Sequence, residues 1–269
     1  MRIGFVSFEY PPDTGIGGIA TYIHQMAHQF ARKGVDVAVV CGSYTRDETV
    51  WEHERISVTR IRCQNTVQFN PLAAKALALL HNSHPFDLIE TPEYGAGGGP
   101  IKQQLPKVPL LVKLHTPGYL IKALNDVYYD TRPLRKIKKA FGLGYRPAKD
   151  KEYEAILSAD YILSPSHSLK DMVAQQWKLD PARILHAPNP YYPSPALLDI
   201  PVAATAHTIL YLGRLETRKG VWNLSKAIPR VIKQVPGAQF IFLGRDSRGP
   251  LREKSMKAVL RRELGAAET

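Results

Sequence analysis

The chain has 269 residues, of which 44% are hydrophobic and 22% charged, a composition that excludes disordered, collagen-like and coiled-coil chains. Its length allows about two domains of roughly 100–200 residues each. The 36 basic and 24 acidic residues leave a net charge of +12, which favours anionic partners such as phosphates, acidic lipid or nucleic acid without choosing among them. With only two cysteines, one disulfide is possible, but reduced thiols in the cytoplasm fit better than a stapled secreted framework.

The N-terminal segment predicts a strand, a loop and a helix. Residues 3–8 are a strand-length apolar run, and a loop rich in proline and glycine follows. Apolar residues then recur at helical spacing from 19 to 30, and Lys33-Gly34 is a typical helix end. Residues 35–41 are almost continuously apolar, which is typical of a strand covered on both faces.

The same alternation of strand and helix continues to residue 187. Strands are predicted at residues 56–61, 86–90, 110–114, 161–163 and 184–187, and helices at residues 71–80, 151–157 and 168–177, the first of these beginning with a proline. Repeated units of this kind predict an α/β domain with a parallel sheet covered by helices on both faces. No apolar run approaches the roughly 20 residues of a membrane-spanning helix, and the N-terminus does not resemble a signal peptide.

A proline-rich stretch at 188–206 indicates a domain boundary. We predict a first domain at 1–192, a linker at 193–206 and a partial second domain at 207–269. The second contains strands at 208–212 and 239–243 and helices at 220–234 and 252–264. Two strands bury too little apolar surface for a stable domain, so we expect either docking on the first domain or, preferably, a fragment of a longer protein.

Two turns have the chemistry of a phosphate site. Gly15-Ile16-Gly17-Gly18 lies between the first strand and the first helix, where glycines allow a close approach to a ligand and the helix N-terminus favours an anion. A tight turn without a ligand explains the glycines equally well. Arg214 and Lys219 lie in the turn after the strand at 208–212, where they can neutralise a diphosphate, or form a solvated basic turn.

Three further segments carry polar candidates. His115 follows the apolar strand at 110–114, at the sheet edge where ligands bind, although a lone histidine is often structural. Glu93 and Tyr94 follow the strand at 86–90; a carboxylate there either binds sugar hydroxyls or caps a helix beginning near Ala96. The tract 132–149 holds seven basic residues and no acidic one between its basic ends, so it either contacts an anionic membrane or acidic acceptor or is simply solvated.

Other chemistries lack sequence support. The chain has no C-x-x-C pair, no H-E-x-x-H and no G-x-S-x-G, and its nine histidines show no obvious ligand spacing, so no metal site is predicted. The basic tract has no interleaved aromatic platform and no recognition-helix motif, so nucleic acid is not an expected partner.

Four segments resemble retaining glycosyltransferases of the GT-B fold, in the large family 4, "glycosyl transferases group 1". They are FEYPPDTGIGGIATYIHQMAHQFARKGVDVAVVCG, LHTP, ILSPSHSLKDMV followed by HAPNPY, and ILYLGRLETRKGVWNL. The last is the most specific, since a Gly-Arg-Leu…Lys-Gly turn with a later strand ending Phe-Leu-Gly is characteristic of that family. The resemblance covers nearly the whole chain and implies a Rossmann-like N-terminal domain plus the first β-α-β-α part of a second Rossmann-like domain.

The resemblance also implies a function. The N-terminal domain of such enzymes mainly binds the acceptor, the C-terminal domain mainly binds a nucleotide-diphosphate sugar, and transfer occurs in the cleft between them with retention and without a metal or cofactor. Arg214 and Lys219 match the basic pair on the donor diphosphate, and Gly17 and Gly18 match the glycine loop beside it. His115 matches the histidine near the reacting sugar, which makes it the catalytic candidate. Glu93 and Tyr94 are acceptor-side candidates.

One departure from the family is clear. Its acidic E-x7-E motif has no counterpart before Thr269, since Glu253 and Glu263 are ten residues apart in a basic helix. We therefore expect that the full-length protein is an active transferase in polysaccharide biosynthesis, cytoplasmic or peripheral at the inner membrane face, and that these 269 residues alone are inactive. The donor would be a nucleotide sugar, and the acceptor a glycan, a lipid or a small molecule. A non-catalytic GT-B binding module and a nucleotide-sugar epimerase are the alternatives.

Overall fold

The computed structural model describes residues 1–15, 17–125, 145–200, 207–250 and 253–265. The chain divides into two compact units, one of Met1–Gly118 and Arg146–Pro193 and the other of Tyr119–Tyr145 and Ser194–Thr269. The change of unit after Pro193 falls at the start of the predicted linker. The segment Tyr119–Tyr145, which the predicted boundaries assign to the first domain, groups with the second unit. The boundaries at 192 and 207 stay a prediction.

The first unit is built on one eight-stranded sheet. Its strands are β1 (Arg2–Ser7), β2 (Asp36–Ser43), β3 (Glu48–His53), β4 (Ile56–Arg62), β5 (Leu88–Pro92), β6 (Leu110–Lys113), β7 (Tyr161–Ser164) and β8 (Ile184–His186). The strand order is β3-β4-β2-β1-β5-β6-β7-β8, and every neighbouring pair is parallel except β3 and β4. The strands β2 to β4 lie on one side of β1, and the strands β5 to β8 lie on the other side. The strand order therefore reverses at β1, which makes its carboxyl end a topological switch point.

The helices follow the strands along the chain. They are α1 (Gly18–Arg32), α2 (Thr66–Ser83), α3 (Gly98–Gln104), α4 (Gly118–Asn125), α5 (Lys151–Leu157) and α6 (His167–Trp177). A main part of the core lies between α1 and the first strands, where Phe5, Ile23 and Val39 are almost completely buried. The burial of β1 and β2 explains their continuous apolar runs, since both faces of a covered parallel sheet contact apolar neighbours.

Several elements differ from the sequence prediction: the helices Gly118–Asn125 and Pro195–Leu198 are not among those predicted, and two further differences have a local explanation. The helix predicted at 71–80 is α2, which begins at Thr66, because the side chain of Asn65 accepts a hydrogen bond from the Gln68 backbone at 3.1 Å and caps it. Pro71 therefore lies inside the helix rather than at its start. The strand β3 was not predicted, because its sequence ETVWEH lies on the edge of the sheet and is mostly exposed, which weakens the apolar pattern.

The second unit has its own short sheet. Residues 119–125 of α4 group with this unit, whose other described α-helices and strands are α7 (Pro195–Leu198), β9 (Thr208–Leu212), α8 (Val221–Gln234), β10 (Gln239–Leu243) and α9 (Met256–Leu264). The strands β9 and β10 pair in parallel over five residues. Val221, Met256 and Val259 form the centre of a small core against which Tyr211 and Phe242 pack. The alternate residues of the strands are exposed and apolar, among them Leu212 and Leu243.

None of the described helices combines the length and the apolar character needed to cross a lipid bilayer. Cys41 and Cys63 are both buried free thiols. Most of the basic tract at 132–149 lies outside the described residues, and only its end, from residue 145 onward, belongs to the described part of the chain.

Candidate active site

Three loops meet at the switch point of the first unit, where the carboxyl ends of β1, β5 and β6 lie side by side. The loop after β1 carries Gly17 and Gly18, the loop after β5 carries Glu93 and Tyr94, and His115 follows β6 by two residues. Ligands of open α/β sheets bind at this edge. The fold therefore places all the site residues predicted for the first domain at the ends of neighbouring strands.

Glu93 holds the loop that carries His115. The His115 backbone N–H donates to Glu93 Oε2 at 2.8 Å, and the Glu93 backbone N–H donates to the Lys113 carbonyl at 3.2 Å. Burial is complete and raises the pKa of Glu93 to about 8. Within the described part of the chain, Glu93 Oε1 has no hydrogen-bond partner. The carboxyl group does not cap α3, whose first turn has no side-chain cap, so its firmest described contact is with His115.

The imidazole of His115 has a buried nitrogen that could bind a ligand. Its ring meets the Tyr22 ring edge to face, with 5.3 Å between centroids. Nε2 is buried, and no described residue gives it a hydrogen-bond partner. Burial, with a further effect of the Lys113 charge, lowers the pKa of His115 to about 4. The ring is therefore neutral near pH 7, and its Nε2 can donate or accept one hydrogen bond according to its tautomer.

A buried polar group lies next to His115. The Tyr22 hydroxyl donates to Glu90 Oε1 at 2.8 Å, and Lys113 Nζ lies 5.4 Å from the centre of the Tyr22 ring. Lys113 Nζ also donates to the Ala187 carbonyl, beyond the end of β8. Burial raises the pKa of Glu90 to about 7 and lowers the pKa of Lys113. Tyr22 and Lys113 were not predicted as site residues, although a lysine inside an apolar strand was a visible signal.

Glu152 is a second carboxylate near the site, and no sequence motif points to it. It lies in the first turn of α5, and its Oε1 accepts from the Gly95 backbone at 3.3 Å while Oε2 accepts from the Gly118 backbone at 2.7 Å. Gly95 belongs to the loop after β5 and Gly118 to the loop after β6. One side chain from a distant part of the sequence therefore fixes both loops that present the site.

The glycine loop carries the N-terminus of α1, and the Glu9 carboxylate lies near it, since a Cβ on Gly17 would be 3.1 Å from Glu9 Oε2. Gly17 is the N-cap, no side chain caps the helix, and its first turn has no acidic residue. A Cβ on Gly18 would meet nothing within 4 Å, whereas a Cβ on Gly15 would lie 2.3 Å from the Ala20 Cβ. Gly15 is thus required by packing, while Gly17 and Gly18 present a helix N-terminus that attracts anions. Ile16 lies outside the described residues.

The basic turn of the second unit presents two cations to solvent. The Arg214 side chain is 58% exposed and lies 3.4 Å from Glu216 Oε1, and Lys219 is also exposed. Arg218 differs, since it is largely buried and pairs with the same Glu216 oxygen at 2.8 Å. The short 3₁₀ turn ends at Gly220, whose φ of 74° is left-handed, and α8 begins without a side-chain cap. Arg214, Lys219 and a helix N-terminus without a side-chain cap therefore share one turn.

The Phe-Leu-Gly end of β10 has a steric explanation. A Cβ on Gly244 would lie 1.9 Å from the Gly213 carbonyl oxygen, so the turns after β9 and β10 touch through bare backbone. Gly213 itself has a φ of 151°. The glycine after β10 thus allows the turn that carries Arg214 to take its observed position.

The structure places Gly17, Gly18, Glu93, Tyr94 and His115 in the first unit, and Arg214 and Lys219 in the second. Within the first unit the His115 backbone and the Glu93 side chain share a hydrogen bond, and the Tyr94 side chain is exposed. The roles predicted for all seven residues stay predictions.

A family model described as Glycosyltransferase Family 4 matches residues 16–194, well over half of the chain. The chain belongs to glycosyltransferase family 4. The match spans the glycine loop, both strand-end loops and α5, and ends where the first unit ends. No curated protein sequence matches the chain.

Solved structures share the fold at low sequence identity. The catalytic domain of starch synthase IV from Arabidopsis thaliana, bound to ADP and acarbose, is 14% identical with a TM-score of 0.57, over 97% of this chain and 70% of that one. A trehalose-6-phosphate structure from E. coli, bound with UDP-2-fluoro glucose, is 11% identical with a TM-score of 0.60, over 98% and 68%. These similarities show that this chain has an α/β fold of the GT-B type, as predicted.

Proposed function

We propose that this family 4 glycosyltransferase moves a sugar, with retention at the anomeric carbon, from a nucleotide-diphosphate sugar to a glycan, lipid or small-molecule acceptor. Family membership supports the transfer itself. The observation that carries the site assignment is His115, a neutral imidazole at a strand end whose Nε2 has no described partner. A sugar hydroxyl would satisfy that atom, and a buried polar atom without a partner is costly enough to need an explanation.

The donor diphosphate would be bound by basic side chains and helix N-termini rather than by a metal ion. In the second unit Arg214 and Lys219 supply two exposed cations, and α8 begins without a side-chain cap, as α1 does in the first unit, so the positive dipole end of each helix favours an anion. As the bond to the sugar breaks, the leaving diphosphate gains negative charge, which groups already in place stabilise without reorganising. No protein nucleophile, metal ion or cofactor is part of this proposal.

The ligands bound in two structural neighbours, ADP and UDP-2-fluoro glucose, support a nucleotide-linked donor. The acceptor side is assigned to the first unit, where Glu93 and Tyr94 follow β5. Polysaccharide biosynthesis as the setting, the cytoplasm as the location and an anionic membrane surface met by 132–149 remain parts of the proposal that rest on the resemblance and on charge alone.

The test is an assay of the complete gene product with UDP-, ADP- and GDP-linked sugars and a set of acceptors, measuring nucleotide release and product stereochemistry. We expect Arg214→Ala to lower kcat/KM by roughly 10²–10³-fold, as loss of a charge-stabilising donor does in other enzymes. Arg230→Ala, an exposed arginine on α8, is the matched control. An unchanged kcat/KM in Arg214→Ala would overturn the diphosphate assignment, and release of nucleotide from none of the donors would overturn the function.

A further inference from the structure

Two histidines and a glutamate meet on the first unit between α1 and the edge strand β3. His24 and His28 are one turn apart on α1, which brings their side chains to the same side of the helix, and their ring centroids lie 4.4 Å apart. Glu52 comes from β3. One ligand atom from each of the three side chains lies within 4.8 Å of the other two.

We propose that His24, His28 and Glu52 form a binding site for a divalent transition metal, zinc above others. Two imidazoles and one carboxylate are a donor set that holds zinc in proteins, with bonds near 2.0–2.2 Å and a fourth position open to water. Tetrahedral zinc needs ligand atoms about 3.4 Å apart at those bond lengths, so small side-chain rotations bring these three into range. Calcium and magnesium fit less well, because they prefer sites made only of oxygen atoms.

The carboxylate is already held in place by neighbouring groups. The Tyr10 hydroxyl donates to Glu52 Oε2 at 2.8 Å, and Arg60 Nη2 donates to Glu52 Oε1 at 3.2 Å. Tyr10 is almost completely buried, so its hydroxyl has little freedom. Hydrogen bonds to a ligating carboxylate are typical of metal sites, where they orient the ligand and raise affinity.

Arg60 opposes a bound cation, but its positive charge is shared between two carboxylates. Its guanidinium is shared, since Nε lies 3.7 Å from Glu48 Oε1 while Nη2 bonds Glu52. Glu48 also pairs with Arg46, whose Nε lies 3.2 Å from the same oxygen, so two carboxylates face two guanidinium groups. The charges of these four groups cancel, and a divalent ion would approach from the solvent side, where Glu52 is exposed.

Such an ion would connect β3 to α1. The strand pairs with β4 on one side only, so it has few other attachments in the described sheet. None of the three ligands is among the residues assigned to sugar transfer, so the inference stands or falls independently of the proposed function. The expected role is stabilisation of the first unit, because an ion that binds only the folded state shifts the folding equilibrium.

The experiment uses the full chain, freed of metal with a chelator, and titrates it with zinc chloride by calorimetry. We expect one ion per chain and a Tm that rises with zinc concentration. His24→Ala and His28→Ala should each weaken binding by roughly 10–100-fold or more, since even losing an outer partner of a ligand costs that much. His84→Ala, an exposed histidine of the same unit, should bind as the wild type does. Equal affinity in all three variants would overturn the site.

A second measurement covers the case in which a variant fails to fold. Cobalt(II) added to the metal-free wild type should give visible d–d absorption of a four-coordinate site without a thiolate charge-transfer band. A thiolate band would point to Cys41 or Cys63 and overturn the assignment, as would six-coordinate cobalt alone or no zinc binding at micromolar concentrations. Tyr10→Phe should bind about tenfold more weakly, which separates an oriented site from surface histidines that merely attract zinc.

Discussion

The backbone N–H of His115 donates to Oε2 of Glu93 at 2.8 Å, and this single bond connects the loop after β6 to the loop after β5. The two residues are 22 positions apart in the chain, and the carboxyl group that joins them is completely buried. Glu93 therefore positions His115, whatever its own relation to an acceptor is. The position of the imidazole depends on a group that need not touch the substrate.

Replacing Glu93 separates its hydrogen bond from its charge. Glu93→Ala should lower the free energy of unfolding by about 1–3 kcal/mol, because the buried His115 N–H loses its acceptor. Glu93→Gln keeps a carbonyl oxygen there and should retain most of the stability and of kcat. Urea denaturation and a transfer assay measure both effects. If the two variants behaved alike, the hydrogen bond would not be what positions His115.

The stability of the first unit should depend on pH through His115. Its pKa in the folded protein is about 4, below the ordinary 6.5, so between these values the unfolded chain binds more protons than the folded one. Stability from this group is complete above pH 6.5 and falls as the pH drops towards 4. Denaturation midpoints of the wild type and of His115→Gln, measured from pH 4 to 7.5, should converge at the acid end. A constant difference would contradict the burial of a neutral imidazole.

Glu152 should be important for stability although it follows the site by more than 30 residues. Glu152→Ala removes the acceptor for the Gly95 and Gly118 backbones and should cost about 2–3 kcal/mol of unfolding free energy. Glu154→Ala is the control, since Glu154 shares the first turn of α5 and is exposed. We also expect faster amide hydrogen exchange in both loops of Glu152→Ala. Equal stability of the two variants would show that the loops do not need this carboxylate.

Two substitutions in the glycine loop should differ in their effect on stability. Gly15→Ala would place a Cβ 2.3 Å from the Ala20 Cβ and 2.8 Å from the Tyr10 nitrogen, so it should destabilise the fold by about 1–3 kcal/mol. Gly18→Ala meets nothing within 4 Å and should leave stability unchanged within about 0.5 kcal/mol. If α1 approaches the donor, Gly18→Ala should nevertheless raise the KM for the donor. An unchanged KM would place the donor elsewhere.

Most helices and strands could be predicted from the sequence because the pattern of apolar residues that marks each one lies within the element itself. Buried parallel strands gave continuous apolar runs, and the helix at 151–157 has the predicted limits. The edge strand β3 is not evident from the sequence because it is exposed, and the predicted helix at 71–80 is too short because it begins at a proline, whereas Asn65 caps α2. The cap lies four residues before Phe69, the first buried residue of the helix, so the apolar pattern alone does not mark the helix start.

The sequence predicted those site residues that directly follow a predicted strand. Gly17, Glu93 and His115 were selected because each follows a strand, and parallel strands bring their ends together. The pairs that hold the site were hidden, since Gly95 and Glu152 are 57 residues apart and nothing local relates them. The sequence analysis found no ligand spacing among the histidines and so missed His24 and His28, which are one helical turn apart; Glu52, the third member of the cluster, lies on a strand that the sequence did not reveal.

The edge strand β3 also affects how the first unit meets other molecules. It runs antiparallel to β4, its register is irregular between Trp51 and His53, and Glu48 and Glu52 lie along it. Irregular, charged edges discourage the addition of a foreign strand. Without residues 48–53, the regular strand β4, with Ile56 and Val58 on its apolar side, would become the open edge. The cover that β3 provides thus protects the sheet from aggregation through β-strand pairing between chains.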